Sequence, residues 1–304
     1  MGSTRNPPVR LHIVVFLLPA LLVYGTVMIF PLLSTLSQSF FSNSGSFVGV
    51  RNYLALVLDP RLSQSFWNAF RNNVWFFAIH MALQIPIGIL LAALLSSPGL
   101  RLRGFYRTVF FIPAILSFVI VGFVWRLLLS PTWGVAQGLL RSIGLGSLFE
   151  PWLGKEHTAP TTLGLISVWQ FVGTTMLLIY AALLSVPDEV IEAAECDGIT
   201  GWAQFWKIRL PLLMPTVGIC AILIFIGSFN AFDLVYVTQG PAAGPAFSTD
   251  LLGVLMFRTL YGYQVQLGDK AMGATIATVM FLIILAGVCV YLFLVQRRLR
   301  RYQF

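Results

Sequence analysis

Nearly half of the acidic side chains of this chain lie in one short segment. Of its eleven Asp and Glu residues, five fall within ten positions: Asp188, Glu189, Glu192, Glu195 and Asp197. Three aromatic residues follow at close spacing: Trp202, Phe205 and Trp206. Aromatic anchors rimmed by charge are typical of protein docking sites. The alternative is a solvated acidic loop whose aromatic side chains rest in lipid headgroups, although negative charge near an anionic leaflet is mildly unfavourable.

The sequence carries none of the patterns expected of a nucleotide-binding or catalytic chain. It contains no G-x-x-x-x-G-K-[ST] phosphate loop, and its one Gly-Lys pair, Gly154-Lys155, precedes a glutamate. No His-Glu-x-x-His pair and no Gly-x-Ser-x-Gly elbow occurs. The three histidines and three cysteines are scattered and form no disulfide framework or zinc site. We therefore expect no enzyme activity, no metal and no cofactor in this chain, so any nucleotide has to bind a partner.

The composition indicates a membrane protein. The 304 residues are 58% hydrophobic and 10% charged, with a mean hydropathy of +0.85, whereas soluble domains carry about 25% charged residues. About 20 apolar residues suffice to cross a bilayer. Six such stretches predict transmembrane helices at about 12–36, 73–96, 108–129, 162–185, 212–237 and 271–295. We expect an all-α integral membrane protein with a single transmembrane domain over residues 1–304.

The basic residues predict how the spans are oriented. Eleven Lys and Arg residues belong to the N-terminus, the loops 97–107 and 186–211 and the C-terminus, against seven in the longer loops of the opposite side. Because basic residues favour the cytoplasm, we expect both termini and loop 186–211 to be cytoplasmic. The net charge of +8 does not indicate a nucleic-acid partner, since the basic residues form no common surface with aromatic ones. The outer loops 37–72, 130–161 and 238–270 are rich in Gly, Pro and Ser and predict irregular structure.

The acidic loop predicts a short helix–turn–helix. Ser185 and Asp188 have the spacing of a capping box, and a helix from about 187 to 196 follows. Gly198 then supplies the turn, and Thr200 caps a second helix that Pro211 ends before the next span. Three acids share one face of the first helix, and the three aromatic residues share one face of the second.

Polar side chains inside the predicted spans are candidates for a solute pathway, because leaving them in lipid is costly. These residues are Gln84, Ser117, Gln170, Thr174, Thr175, Asn230 and Asp233, with Phe229 and Phe232 flanking the last two. Hydrogen-bonding side chains beside aromatic faces suit a sugar, whose ring has hydroxyls at its edge and C–H bonds on its flat face. For each residue, hydrogen bonding between helices is the alternative role.

The acidic loop also resembles a known signature. The residues Glu192-Ala193-Ala194, Asp197-Gly198, Phe205, Ile208, Leu210-Pro211 and Pro215 match, in register, the pattern EAA–x2–DG–x6–F–x2–I–x–LP–x3–P. On this pattern the chain resembles the permease subunits of binding-protein-dependent ABC importers. The segments 47–56, 105–134 and 232–250 are similar to the sugar-permease branch, of the maltose or glycerol-3-phosphate type. The similarity fits the first of the two permease subunits in such systems.

This resemblance implies a type I ABC importer permease fold with six transmembrane helices and a cytoplasmic coupling helix–turn–helix. It implies that the hairpin docks on a separate ATPase through Glu192, Ala193, Ala194, Asp197, Gly198, Trp202, Phe205, Trp206 and Pro211. The expected partners are a second homologous permease subunit, two ATPase subunits that bind ATP and Mg, and an extracytoplasmic solute-binding protein. The expected location is the lipid of a bacterial or archaeal cytoplasmic membrane.

The expected function is ATP-driven import of a sugar or oligosaccharide delivered by the solute-binding protein. The alternative within this class is a permease for a glycerol phosphodiester or a peptide. A phosphate group would call for cationic side chains in the pathway, and only Arg126 lies inside a predicted span. The alternative from another class is a six-span channel or membrane enzyme that works without ATP.

Overall fold

The computed structural model describes residues 11–97, 99–264 and 266–296. A short antiparallel hairpin joins β1 (Gly262–Tyr263) to β2 (Gln266–Leu267). The α-helices are α1 Leu11–Tyr24, α2 Phe30–Gln38, α3 Arg51–Leu58, α4 Pro60–Ile79, α5 Ile85–Ser96, α6 Arg103–Ile115, α7 Phe118–Leu128, α8 Val135–Ser142, α9 Ala159–Leu184, α10 Asp188–Cys196, α11 Gly201–Gln204, α12 Leu210–Phe229, α13 Asp233–Gln239, α14 Leu252–Tyr261 and α15 Lys270–Val290. Segments of π-helix are Gly25–Ile29, His80–Gln84, Phe205–Arg209 and Tyr291–Gln296, and 3₁₀ turns are Gly146–Leu148 and Pro245–Phe247.

Part of the charge pattern lies outside the described residues. The terminal basic residues in the orientation count are Arg5, Arg10, Arg297, Arg298, Arg300 and Arg301. The prediction that both termini are cytoplasmic therefore stays a prediction.

The long apolar helices confirm an all-α membrane protein. Among the described residues, five helices could cross a bilayer, and a sixth span results if one bent pair is counted as a single span. The five are Val15–Gln38, Pro60–Ser96, Ala159–Leu184, Gly201–Phe229 and Lys270–Phe293. Each overlaps one predicted span.

Three of the π-helical segments end two residues before a proline. The pairs are Ile29 with Pro31, Gln84 with Pro86, and Arg209 with Pro211. Proline lacks an N–H and its ring crowds the carbonyl four residues earlier. In a π-segment the hydrogen bonds reach five residues back, as between Leu210 N–H and the Phe205 carbonyl. The helix therefore continues past these prolines.

The third predicted span, 108–129, is broken. The helices α6 and α7 meet at an angle of 97°, because Leu116 and Ser117 are both extended. The Gln170 side chain donates to the Leu116 carbonyl (3.1 Å), and the Ser117 hydroxyl accepts from Ile120 N–H (3.4 Å). The apolar run across this break is continuous in sequence, which is why it resembled a single span.

The fifth predicted span, 212–237, differs at both ends. A continuous helix already begins at Gly201 and runs to Phe229, so Pro211 does not end the second hairpin helix as the sequence suggested. The helix ends at Phe229, and Phe232, which has a non-helical conformation, precedes α13 at Asp233. The second hairpin helix is therefore continuous with the span that follows it.

The outer loops are more helical than predicted. The segment 37–72 contains α3 and the start of α4, where the Asp59 carboxylate accepts from Arg61 N–H (2.9 Å) and Leu62 N–H (3.3 Å). Pro60 stands in the first turn, which is a favoured place for proline. The loop 130–161 contains α8, and 238–270 contains α14. The prediction of irregular structure was wrong at these helices.

Close contacts at glycine hold α9 against its neighbours. Helix α9 packs against both α5 and α6. A Cβ on Gly173 would overlap the backbone carbonyl of Phe110 in α6, and one on Gly88 in α5 would lie 2.8 Å from the Thr175 side chain. Small residues let membrane helices approach closely enough for dispersion forces to hold them.

We predict that Gly173→Ala lowers the free energy of unfolding by about 1–3 kcal/mol, because the added methyl group forces α6 and α9 apart. Gly104→Ala, in α6, is the matched control: a Cβ there meets no atom within 4 Å, and alanine favours the helix. Thermal unfolding of the purified protein in detergent measures both. Equal midpoints for the two variants would contradict the close contact.

Candidate docking hairpin and solute cavity

The acidic loop forms the predicted helical hairpin, which we define as residues 188–209. Helix α10 ends in a Schellman motif: Ile199 N–H bonds to the Ala194 carbonyl (2.8 Å), and Gly198 N–H bonds to the Glu195 carbonyl (3.0 Å). Gly198 has φ +75°, a left-handed conformation that costs other residues about 1–2 kcal/mol. The glycine is therefore required by the backbone of the turn.

The predicted side-chain caps are absent at the start of both hairpin helices, α10 and α11. Ser185 donates its hydroxyl to the Ala182 carbonyl (2.8 Å), and Pro187 takes the N-cap position of α10 without a side-chain bond. Thr200 takes the N-cap position of α11 but makes no capping bond. Serine and threonine bond the preceding helical turn as readily as they cap a new one, and Ser185 directly follows the end of α9.

The aromatic residues of the hairpin form one cluster. The rings of Trp202 and Phe205 stack with centroids 5.5 Å apart, and Trp206 meets both edge-on at 5.8 Å. Trp202 is 65% exposed and Trp206 is 53% exposed. Two large apolar rings are thus presented outward, with no covering group in the described chain.

The acidic helix lies beside this cluster with its charges outward. Glu192, Ala193 and Asp197 are exposed, whereas Ala194 is buried on the opposite side. Gln204 is buried and donates to the Glu195 carboxylate (3.5 Å), which joins the two helices of the hairpin. Pro211 is half-buried and lies inside the continuous helix. The hairpin therefore offers a combined acidic and aromatic surface.

A cavity of about 390 Å³ lies among α4, α9, α12 and α13, with π-segment His80–Gln84 in its wall. The predicted pathway residues that line it are Gln84, Thr174, Thr175, Asn230, Phe232 and Asp233. The volume is in the lower part of the range typical of small-molecule sites.

Gln84 lines the cavity and also hydrogen-bonds to a neighbouring helix. Its side-chain amide donates to Thr175 Oγ1 (2.7 Å) and to the Phe171 carbonyl (3.2 Å), so it joins two helices. The other amide atom, Oε1, is buried without a partner among the described residues. An unpaired buried acceptor is costly.

The predicted residues Ser117, Gln170 and Phe229 are not among the residues lining the cavity. Ser117 and Gln170 hydrogen-bond at the break between α6 and α7, as described above. Phe229 is buried in the apolar core, where its ring lies 4.8 Å from that of Phe225 and 6.1 Å from that of Phe70. In the described structure these three side chains make contacts within and between the helices around the cavity and do not line it.

The sequence interpretation missed His80 and Ser167 in the cavity wall. His80 Nδ1 lies 2.8 Å from the Phe76 carbonyl, and Nε2 lies 3.0 Å from the Ser167 hydroxyl. Since a carbonyl only accepts, Nδ1 carries the proton and the serine donates to Nε2. Helical spacing could have found both residues: His80 lies four positions before Gln84, and Ser167 lies seven before Thr174.

The described chain thus defines a polytopic membrane protein with a solute-sized cavity and a helical hairpin suited to docking, as in the membrane subunits of transport systems. Residues 84–301 match the family described as "Binding-protein-dependent transport system inner membrane component". The chain belongs to this family.

Two relatives are similar over most of their length. The chain is 32% identical over 276 residues to the probable ABC transporter permease protein YurN of Bacillus subtilis (strain 168), covering 89% of this chain and 91% of that protein. It is 30% identical over 254 residues to the lactose transport system permease protein LacF of Rhizobium radiobacter, covering 82% and 83%.

One solved structure has a similar fold. It is a bacterial ABC transporter involved in the import of the acidic polysaccharide alginate, with a TM-score of 0.78 and 22% identity over 94% of this chain and 96% of that one. Together with the family match, this likeness confirms the type I importer permease fold.

Two adjacent threonines of the cavity wall differ in their hydrogen bonds. Thr175 is buried and accepts from Gln84, whereas Thr174 is exposed in the cavity wall and makes no hydrogen bond in the described chain. We predict that Thr175→Val lowers the free energy of unfolding by about 0.6 kcal/mol. Thr174→Val should leave stability unchanged and raise the half-saturating concentration for transport. Unfolding midpoints measure the stability of both variants, and uptake curves measure their half-saturating concentrations. If the two variants had the same midpoint and the same uptake curve, the prediction would be wrong.

Proposed function

We propose that this chain is the membrane-spanning subunit of an ATP-driven importer and forms the pathway for a sugar or oligosaccharide delivered by a solute-binding protein. The observation that carries this proposal is the hairpin, which combines the full EAA pattern with an exposed acidic and aromatic surface. The family description supports dependence on a binding protein. The lactose permease among the relatives and the hydroxyl, amide and aromatic groups of the cavity support a sugar.

We infer that the hairpin docks on a separate ATPase subunit, which binds ATP and Mg. Trp202 and Trp206 have the exposure expected of anchors that become buried in a partner's pocket. Glu192 is exposed beside them and is suited to meet a basic residue. Since the chain itself carries no phosphate loop, the energy has to enter through such a contact.

The continuous helix Gly201–Phe229 supports a mechanical link from the hairpin to the cavity. It begins within the hairpin and ends beside Asn230 in the cavity wall. At 1.5 Å per residue, its 29 residues span about 43 Å. Movement of the docked ATPase would be passed along this helix and would shift the cavity between outward- and inward-facing states, as a two-state switch requires.

The remaining assembly follows from the same proposal. A second homologous permease subunit completes the pathway, two ATPase copies bind the two hairpins, and both termini of this chain face the cytoplasm of a bacterial or archaeal cell. The alternatives, a permease for a glycerol phosphodiester or peptide and a channel without ATP, have less support. In the described cavity wall no Lys or Arg is present to bind a phosphate.

We predict that Glu192→Lys and Gly198→Asp abolish ATP-driven uptake while leaving membrane insertion intact. The first reverses the charge at the docking surface, and the second strains the turn at φ +75°. Glu189→Lys is the matched control, because this exposed acid lies on the same helix outside the EAA pattern.

Uptake of labelled oligosaccharide by cells and co-purification of the ATPase subunit are the measurements. Normal uptake by either variant, together with a normally assembled ATPase, would reject the role given to the hairpin.

A further inference from the structure

The free polar groups exposed in the cavity wall include two hydrogen-bond acceptors. The Asn230 side-chain amide donates to the Ile226 carbonyl (3.1 Å), which leaves its Oδ1 free. The Asp233 carboxylate is exposed and has no hydrogen-bond or ion-pair partner among the described residues. Gln84 Oε1, buried in the same wall, also lacks a donor. A ligand that complements such a wall is rich in donors, as a polyhydroxylated molecule is.

The charge of the wall is negative. Asp233 is the acidic residue among the side chains that line the described cavity, and the lining includes no Lys or Arg. Its one histidine, His80, has both ring nitrogens at hydrogen-bond distance from Phe76 and Ser167, so it presents no free N–H to an anion. Arg126 lies on α7 outside this lining. An anionic solute would therefore meet an uncompensated carboxylate at short range, which is unfavourable in a partly desolvated site.

We propose that Asp233 is a specificity-determining residue that makes this half of the pathway select uncharged saccharides and repel saccharides that carry carboxylates, such as uronate oligosaccharides. This inference rests on the proposed function for the identity of the solute. The neutral acceptors of the wall bind sugar hydroxyls, and the carboxylate of Asp233 both accepts from a hydroxyl and opposes an anion.

The test measures the electrostatic potential of the cavity with a thiol reporter in the assembled importer. Thr174→Cys supplies the reporter in a variant whose three native cysteines, Cys196, Cys220 and Cys289, are replaced by Ser or Ala. Two methanethiosulfonate reagents of similar size, one a quaternary ammonium and one a sulfonate, then modify the thiol. We expect the ammonium reagent to react faster relative to a free thiol. Asp233→Asn should reduce the ratio of the two rates by on the order of tenfold, because it removes a unit charge at a partly solvated wall.

Glu156→Gln is the matched control, because it removes the same charge from an exposed outer-loop site that does not line the cavity. This variant should keep the rate ratio of the parent. An unchanged ratio in Asp233→Asn, or a reporter that neither reagent modifies, would overturn the proposal without contradicting the proposed function.

Transport supplies the second readout. The importer should transport a neutral oligosaccharide and fail to transport a uronate oligosaccharide of the same length, each presented on a binding protein that holds it. Efficient uronate transport by the unmodified chain would also overturn the proposal. Absence of any ATP-driven saccharide uptake, with the expected rate ratio present, would instead reject the proposed function.

Discussion

The described structure depends on one constraint: in a membrane, each backbone polar group that leaves a helix has to find a partner inside the protein. The chain meets this constraint with buried side-chain amides at its helix breaks. Gln170 donates to the Leu116 carbonyl where α6 ends. Asn73 satisfies two such backbone groups. Its amide nitrogen donates to the Ser228 carbonyl (2.7 Å), and its amide oxygen accepts from Leu252 N–H (2.8 Å). Because the breaks are satisfied, non-helical backbone at 230–232 can border the cavity.

The connection between α13 and α14 is held by a second set of polar contacts. Arg258 and Asp250 form a buried ion pair, and the arginine also donates to the Pro241 carbonyl (3.0 Å). Asn72 of α4 donates to the backbone carbonyls of Ser248 (2.8 Å) and Asp250 (2.9 Å). A buried charge needs such a full set of partners, because breaking one of them leaves the other uncompensated. The connection is thus fixed to α4, which also supplies the cavity wall.

The sequence was informative wherever a local pattern specifies the structure. Apolar length located the spans, and the left-handed turn at Gly198 followed from its place after an amphipathic helix. The breaks were not predictable, because Leu116 is as apolar as its neighbours and its partner Gln170 is 54 residues away. The start of α14 was hidden for the same reason: Leu252 N–H is satisfied by Asn73, 179 residues earlier. The local cap at Asp59-Pro60 was visible and could have located the start of α4.

The same constraint also shapes the helix that joins the hairpin to the cavity. A proline normally kinks or ends a helix, and one directly beyond the hairpin would separate its motion from that of the span. The π-segment Phe205–Arg209 lets the helix continue through Pro211, and the helix passes Pro215 before it ends beside Asn230 in the cavity wall. Residues 230–232 separate this helix from α13, which begins at Asp233. One continuous helix therefore connects the aromatic surface of the hairpin to the wall of the cavity.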